Sequence, residues 1–230
     1  MTLQEAIKQR HSVRRYVHKP LSAEIVETLR KKIEEWNAES GLHIQLVTNE
    51  TRAFTGLFSY GKFSGVENYI VMVGKKADDL DERVGYYGEQ LVLLAQTLGL
   101  NTCWAGLSYR RVDEAYSVGD DEKLTCMIAL GYGATQGHKR KSKTAEQVSN
   151  VGSESPEWFR KGVEAVLMAP TAINQQKFSF TLLPNEQDTE DKPKVLAKRG
   201  FSMVGYTKMD IGIARLHFEI GAGTENFDWA

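Results

Sequence analysis

The chain has 230 residues and a mass of 25.9 kDa, with 41% hydrophobic and 26% charged residues, enough to bury a core as one large domain or two small ones. A net charge of -1 gives no global electrostatic case for nucleic acid or an anionic membrane, and no apolar run is long enough to span a bilayer. Met1-Thr2-Leu3-Gln4-Glu5 lacks the basic-then-apolar pattern of a secretory leader, and Cys103 and Cys126 imply no disulfide framework, so a cytoplasmic location is expected.

Thr2 is placed to cap a first helix carrying Leu3 and Ile7, which delivers Arg10 to Arg14 just past its end. After Pro20 and Ser22, the residues Ile25, Leu29, Ile33 and Trp36 mark a second amphipathic helix that Gly41 stops. Leu42 to Val47 and Tyr69 to Val73 read as strands. A long helix is expected from about Asp81 to Gly99, with Leu91, Leu94, Ala95 and Leu98 as its apolar stripe. Thr102 to Ala105 and Leu124 to Leu130 read as buried strands, and Gly137 to Lys143 is a basic run whose usual meaning is a solvated loop.

Ser149 to Ser155 reads as a linker between two halves, residues 1–150 and 151–230. Ser155-Pro156-Glu157 offers an N-cap, a proline at the first helical position and an acid in the first turn. That helix, through Trp158, Val163, Val166 and Leu167, must end before Pro170. Lys177 to Leu183 alternates as a strand, Thr189 to Lys194 is a charged loop, and Met209 to Ile220 is a final helix. Both halves run helix, turn, strand and later an apolar helix ending in glycine, at Gly99 and at Gly221. A divergent duplication explains that order, and so does chance recurrence of an α/β pattern.

Arg10, Ser12 and Arg14 alternate along an extended segment, so their side chains can converge on one anion. Taken alone, this spacing marks a surface ion-pair cluster more often than a bound phosphate. Likewise Ala169-Pro170-Thr171-Ala172-Ile173-Asn174-Gln175-Gln176 is either a helix-terminating turn or a donor-rich ligand loop. Tyr60-Gly61-Lys62-Phe63 is a glycine loop, or part of a site's mouth. Five scattered histidines and two distant cysteines give no metal-ligand spacing, and no Gly-x-Gly-x-x-Gly fingerprint is present.

Three of these segments resemble the nitroreductase family. Arg10, Ser12, Arg14 and Tyr16 match its opening Arg-x-Ser-x-Arg-x-aromatic. The stretch from Gly99 to Gly106 resembles its Leu-Gly-Leu-Gly-Thr-Cys-Trp-x-Gly, and Ala169 to Gln176 resembles its Ala-Pro-Ser-x-x-Asn-x-Gln-Pro turn. Lys177 replaces the family's proline there, and Phe178 falls where a tryptophan is common. The resemblance implies an α+β fold, a mixed and largely antiparallel sheet layered by helices. In this chain two divergent repeats would form an internal pseudo-dimer, similar to a fused branch of the family first recognised in thermophilic bacteria.

The resemblance further implies an FMN site. Its phosphate would rest on Arg10, His11, Ser12 and Arg14, completed by Lys139 and Arg140. Tyr60, Gly61 and Trp104 would wall the ring. A backbone N–H of Ala105, Gly106 or Leu107 would face flavin N5, and Pro170, Thr171, Ala172, Asn174 and Gln176 would meet the pyrimidine edge. No catalytic side chain is implied: NAD(P)H would reduce the flavin, and a small-molecule acceptor such as a nitroaromatic or quinone would collect two electrons. Neither a nucleic-acid nor a membrane partner is expected. The site would close within one chain, allowing a monomer. A redox sensor or a relic without turnover stays open as an alternative.

Overall fold

The computed structural model describes residues 1–55, 62–138, 140–184 and 192–230. Helix α1 (Leu3–Gln9) opens with a capping box, in which Thr2 Oγ1 accepts from the Glu5 N–H and Glu5 Oε2 accepts from the Thr2 N–H. Helix α2 (Ala23–Ser40) begins at Ser22, whose hydroxyl accepts from the Ile25 N–H, and ends at Gly41 in the left-handed conformation with φ 67°.

Four antiparallel strands form the main sheet in the order β1-β2-β4-β3: β1 (Gln45–Val47), β2 (Asn68–Lys75), β3 (Asn101–Ala105) and β4 (Glu122–Gly131). Strand β2 is buried on both faces because each face meets its own core. Ile70 and Met72 join Cys126, Ile128 and Leu130 beneath the helices, whereas Tyr69, Val71 and Val73 join Met127 and Ala129 against Val13, Tyr16, Phe54 and Phe63. Both cysteines are free and buried.

A second, smaller sheet runs β5-β6-β7, made of β5 (Phe178–Leu182), β6 (Lys194–Arg199) and β7 (Asp228–Trp229); β5 and β6 are antiparallel, β6 and β7 parallel. The largely antiparallel strands layered by helices are as expected, divided between a main sheet and this smaller mixed one. The charged segment ending at Lys194 leads into β6, which sequence pattern missed because Val195 is its one fully buried side chain. Long-range pairing with β5 makes it a strand. Asn185, Glu186 and Thr189 lie outside the described residues.

Helices α3 (Leu80–Thr97), α4 (Ala145–Val148), α5 (Glu157–Val166) and α6 (Thr207–Ala222) complete the molecule. Pro156 is the N-cap of α5, one place earlier in the helix than the sequence suggested. The Ser155 hydroxyl is occupied instead by the Gly152 N–H at 2.9 Å. Helix α6 packs against α3, α5 and the second sheet, where Phe218 stacks on Phe180 at 5.1 Å and meets Phe227 edge-on.

The α3–α6 crossing is backbone on backbone. A Cβ on Gly85 would lie 2.1 Å from the Met209 carbonyl oxygen and 3.1 Å from the Ile213 nitrogen. A Cβ on Gly212 would lie 2.1 Å from the Glu82 oxygen and 3.0 Å from the Tyr86 nitrogen. One sequence separation divides each of the pairs Gly85/Gly212, Glu82/Met209 and Tyr86/Ile213, so the two helices present equivalent positions to one another. No helix among the described residues is long and apolar enough to cross a membrane.

Candidate functional site

The segment after α1 is stitched in place through its backbone. Val13 N–H donates to Thr102 O at 3.0 Å, Tyr16 N–H to Ser64 O at 2.9 Å, Ser64 N–H to Arg14 O at 3.0 Å and Ala134 N–H to Arg15 O at 2.8 Å. Val13 and Tyr16 enter the core, and the Tyr16 hydroxyl donates to Val13 O at 2.6 Å. Strand alternation then aims Ser12 and Arg14 away from that core, into a cavity of about 420 Å³.

The sequence singled out most of this cavity's wall: Trp104, Ala105, Gly106 and Leu107 at the end of β3, and Pro170, Thr171 and Ala172 opposite. The N–H groups of Leu107 and Ser108 have no hydrogen-bond acceptor among the described residues, so both stay available to a ligand carbonyl or ring nitrogen. Gly106 matters for space. A Cβ there would sit 2.6 Å from the Tyr206 hydroxyl, so glycine admits that ring.

Other expected residues lie elsewhere. Arg10 turns inward, only 7% exposed, with Nε 3.7 Å from Glu89 Oε1. Glu89 also accepts from Trp104 Nε1 at 2.9 Å and meets His217 Nε2 at 2.9 Å, while His217 Nδ1 donates to Ala165 O at 3.0 Å. His217 is thus flanked by two acceptors, which requires a proton between its Nε2 and Glu89. His11 Nδ1 donates to Gln9 O. Tyr60, Gly61 and Lys139 lie outside the described residues, but Lys62 and Phe63 line the cavity.

Arg140 grips the end of α5. Its guanidinium donates to Leu167 O at 2.8 Å, to Ala169 O at 2.7 Å and to Asn174 Oδ1. Burial, reinforced by the nearby charge of Arg10, lowers its pKa to about 10. Asn174 Nδ2 donates to Lys141 O at 2.9 Å, and Gln176 accepts from Lys143 N at 3.0 Å and from the Ser142 hydroxyl at 3.3 Å. Both amides therefore fasten the 140–143 segment to the turn, and neither lines the cavity.

The turn is conformationally costly. Ile173, Asn174 and Gln176 have φ of 46°, 59° and 46°, the left-handed region that side chains rarely adopt. Besides the bonds to the 140–143 segment, Thr171 Oγ1 accepts from Gln176 N at 3.1 Å, and Asp210 accepts from Ala172 N at 2.9 Å and Gln175 Nε2 at 2.7 Å.

Asp210 was missed by sequence reasoning, as were Tyr206, Met209, Ile213 and Ser108. The signal existed. Tyr206, Met209, Asp210 and Ile213 share one helical face at the start of α6, and a carboxylate within an otherwise apolar stripe is unusual. Burial raises its pKa to about 6, opposed by the Ala172 and Gln175 donors. Burial likewise pushes the Cys126 thiol on the cavity floor up to about 12 and raises that of Cys103, so neither is a ready thiolate. Among the described residues no cluster of His, Cys, Asp and Glu could hold a metal ion.

Comparison with known proteins fits this architecture. A crystal structure described as a putative nitroreductase from Thermotoga maritima is 23% identical, with 96% of this chain and 83% of that one covered, at a TM-score of 0.62. A structure described as a putative nitroreductase from Desulfovibrio desulfuricans, in complex with FMN, is 18% identical, covering 68% of this chain and 98% of that one, at 0.50. Nitroreductase A from Vibrio parahaemolyticus is 17% identical, covering 64% and 74%, at 0.51. A search of curated proteins finds no match. The mixed α+β layers of the fold agree with these neighbours, and the family model described as "Putative TM nitroreductase" matches residues 2–222, so the chain belongs to that family.

Proposed function

We propose that the protein is an FMN-dependent oxidoreductase that takes electrons from NAD(P)H and delivers them to a small-molecule acceptor. One observation carries this reading: the Arg-x-Ser-x-Arg segment and the Ala-Pro-Thr turn, far apart in sequence, border the same cavity of about 420 Å³. That volume falls within the range of small-ligand sites. The donor set suits FMN. Arg14 and Ser12 offer a charged fork and a hydroxyl to phosphate, and Trp104, Phe63, Met209 and Ile213 offer an apolar wall to the ring. The open N–H groups of Leu107 and Ser108 can meet the ring's polar atoms. When bound, the flavin supplies the two-electron chemistry, and the protein supplies orientation and exclusion of water. Leu107 and Ile173, 76% and 77% exposed, border the mouth as an apolar approach for a nitroaromatic or quinone.

The reciprocal α3–α6 crossing supports reading residues 1–150 and 151–230 as two repeats packed as an internal pseudo-dimer. The site then draws on both repeats of one chain, with Arg14 and Trp104 from the first and Pro170 and Tyr206 from the second. Purified protein should carry one flavin per chain and bleach anaerobically with NADH or NADPH; colourless protein that takes up no added FMN rejects the reading. Mixing an Arg14 variant with a Thr171/Tyr206 variant should restore no flavin binding, whereas recovery would mean that sites form between chains.

The two arginines should separate cleanly. Arg14→Ala is expected to weaken FMN binding about ten- to hundredfold while leaving riboflavin affinity and folding unchanged, because it removes a charged phosphate donor from an exposed position. Arg10→Ala should lower thermal stability, because it removes a buried partner of Glu89. Fluorescence titration of apoprotein with both flavins, beside a melting curve, makes the comparison. Equal loss of FMN and riboflavin affinity in Arg14→Ala would remove it from the phosphate.

A further inference from the structure

Beside the cavity, the 172–176 turn stands out as an element whose conformation is unfavourable by itself. Three of its residues, Ile173, Asn174 and Gln176, lie at positive φ, and none is glycine. Such a turn persists only when its surroundings over-determine it. Two of its donors, the Ala172 N–H and the Gln175 amide, end on one carboxylate, Asp210, which is 2% exposed and itself lines the cavity with Ala172. Gln175 Nε2 also donates to Gly205 O at 3.0 Å, so the same amide ties the turn to the loop that carries Val204 and Tyr206 into the cavity.

We propose that Asp210 is the positioning residue of this cavity: its ionised carboxylate holds the turn as one wall, and protonation loosens that wall and weakens ligand binding. Both Asp210 partners are neutral donors, so the clamp depends on the carboxylate's charge to make the bonds strong. Other charged groups on the surrounding elements are engaged or distant. On α3, Glu82 pairs with Arg215 and Arg83 with Asp79. On α6, Lys208 donates to Asp78 O. Beside the turn, Arg140 is held by Asn174 and Lys143 by the Gln176 carbonyl, while Lys177 flanks its far end. Across the cavity stand Arg14, Lys62, Cys126 and Tyr206. None of them contributes to the rise in the Asp210 pKa, whose cause is burial.

The direction of the pH effect separates local from global behaviour. Folding raises the carboxyl from 3.8 to about 6, so between those values the folded chain binds the proton more tightly than the unfolded one. This group's contribution to global stability therefore falls as pH rises through that window. Acidification from neutral pH favours the folded over the unfolded chain at this residue; it slackens the turn because releasing the Ala172 and Gln175 donors, with Asp210 still buried, raises the carboxyl's pKa further. A loss of ligand near pH 6 is thus not explained by unfolding at Asp210.

The affinity arm of the test rests on the FMN reading above; the exchange arm does not. In apoprotein, hydrogen–deuterium exchange corrected for intrinsic rate should show protection of the 169–177 segment falling about tenfold between pH 7.5 and 5, with helix α3 unchanged. Asp210→Asn should show the low protection at every pH. Gln175→Ala, which removes one donor to the charged form, should move the transition to higher pH. Riboflavin affinity, which is free of the FMN phosphate's own titration near pH 6, should follow the same profile, about tenfold weaker at pH 5 in the wild type and flat in Asp210→Asn. A wild-type exchange profile flat with pH, or an Asp210→Asn profile identical to wild type, overturns the proposal. Should Asp210→Asn fail to fold, an unmoved midpoint in Gln175→Ala overturns it equally. If the exchange arm behaves as expected but no FMN binds at any pH, the clamp stands and the FMN reading falls.

Discussion

Replacing Glu89 with alanine should destabilise the protein by about 3–5 kcal/mol, read as the loss in urea-unfolding free energy. The carboxylate is 0% exposed and stands where four elements meet: Arg10 after α1, its own helix α3, Trp104 on β3 and His217 on α6. Truncation leaves an indole N–H, an imidazole nitrogen and a guanidinium facing a void, each desolvated and with no substitute acceptor. Glu89→Gln should lose less. Its amide oxygen can still accept from Trp104 or His217, but its NH2 meets another donor. His217→Phe is the informative partner. Removing the group that shares the proton with Glu89 leaves a buried carboxylate held by Arg10 and Trp104 alone. If those two partners sufficed, the double variant Glu89→Leu/His217→Phe would be no more stable than either single variant. Partial recovery in the double variant, relative to Glu89→Leu, is expected, because the imidazole is no longer left without an acceptor, although Arg10 and Trp104 still are. Urea curves on the four proteins decide it.

That network also shows where sequence reasoning stops. The Arg10-x-Ser12-x-Arg14 spacing was legible, and so was the extended backbone that carries it. Alternation within the segment is honoured for Ser12 and Arg14, both of which reach the cavity. Arg10 departs because it occupies the C-cap of α1, where the backbone turns and Glu89 lies behind it. No local pattern announces a partner on α3. The amides of Asn174 and Gln176 are similar. Their residue types advertise donors, but which acceptor they meet depends on the 140–143 segment returning across the turn. Helices α2, α3, α5 and α6 were readable because their apolar stripes recur along the chain itself. Strand β6 was not, since what makes it a strand is the neighbour it pairs with. Asp210 is intermediate. Its helix was legible and its burial was not, although a lone acid on the face of Tyr206, Met209 and Ile213 was there to be noticed.

Gly212→Ala should cost about 3 kcal/mol, and Gly85→Ala an equal amount within roughly 0.5 kcal/mol. On helix propensity alone, each change should stabilise the helix by about 1 kcal/mol. Packing reverses the sign. The added Cβ would stand 2.1 Å from a carbonyl oxygen of the facing helix in both cases, and a backbone atom within a helix cannot rotate aside as a side chain can. The helices must separate along their whole contact, which loosens Met209 and Ile213 where they form the cavity wall. Ligand affinity should therefore fall together with stability, unlike the Arg14 variant, where it falls alone. Equality of the two losses is the sharper claim, because it follows from the proposed repeat. Each glycine meets the equivalent pair of backbone atoms in its partner, so neither helix has privileged geometry. The double variant should lose less than the sum, since one separation of α3 from α6 relieves both clashes. Denaturant titration of the two single variants and the double variant tests all three statements. Single-variant losses that differ by more than about 1 kcal/mol, or that add in full, would mean that the crossing lacks the internal two-fold relation.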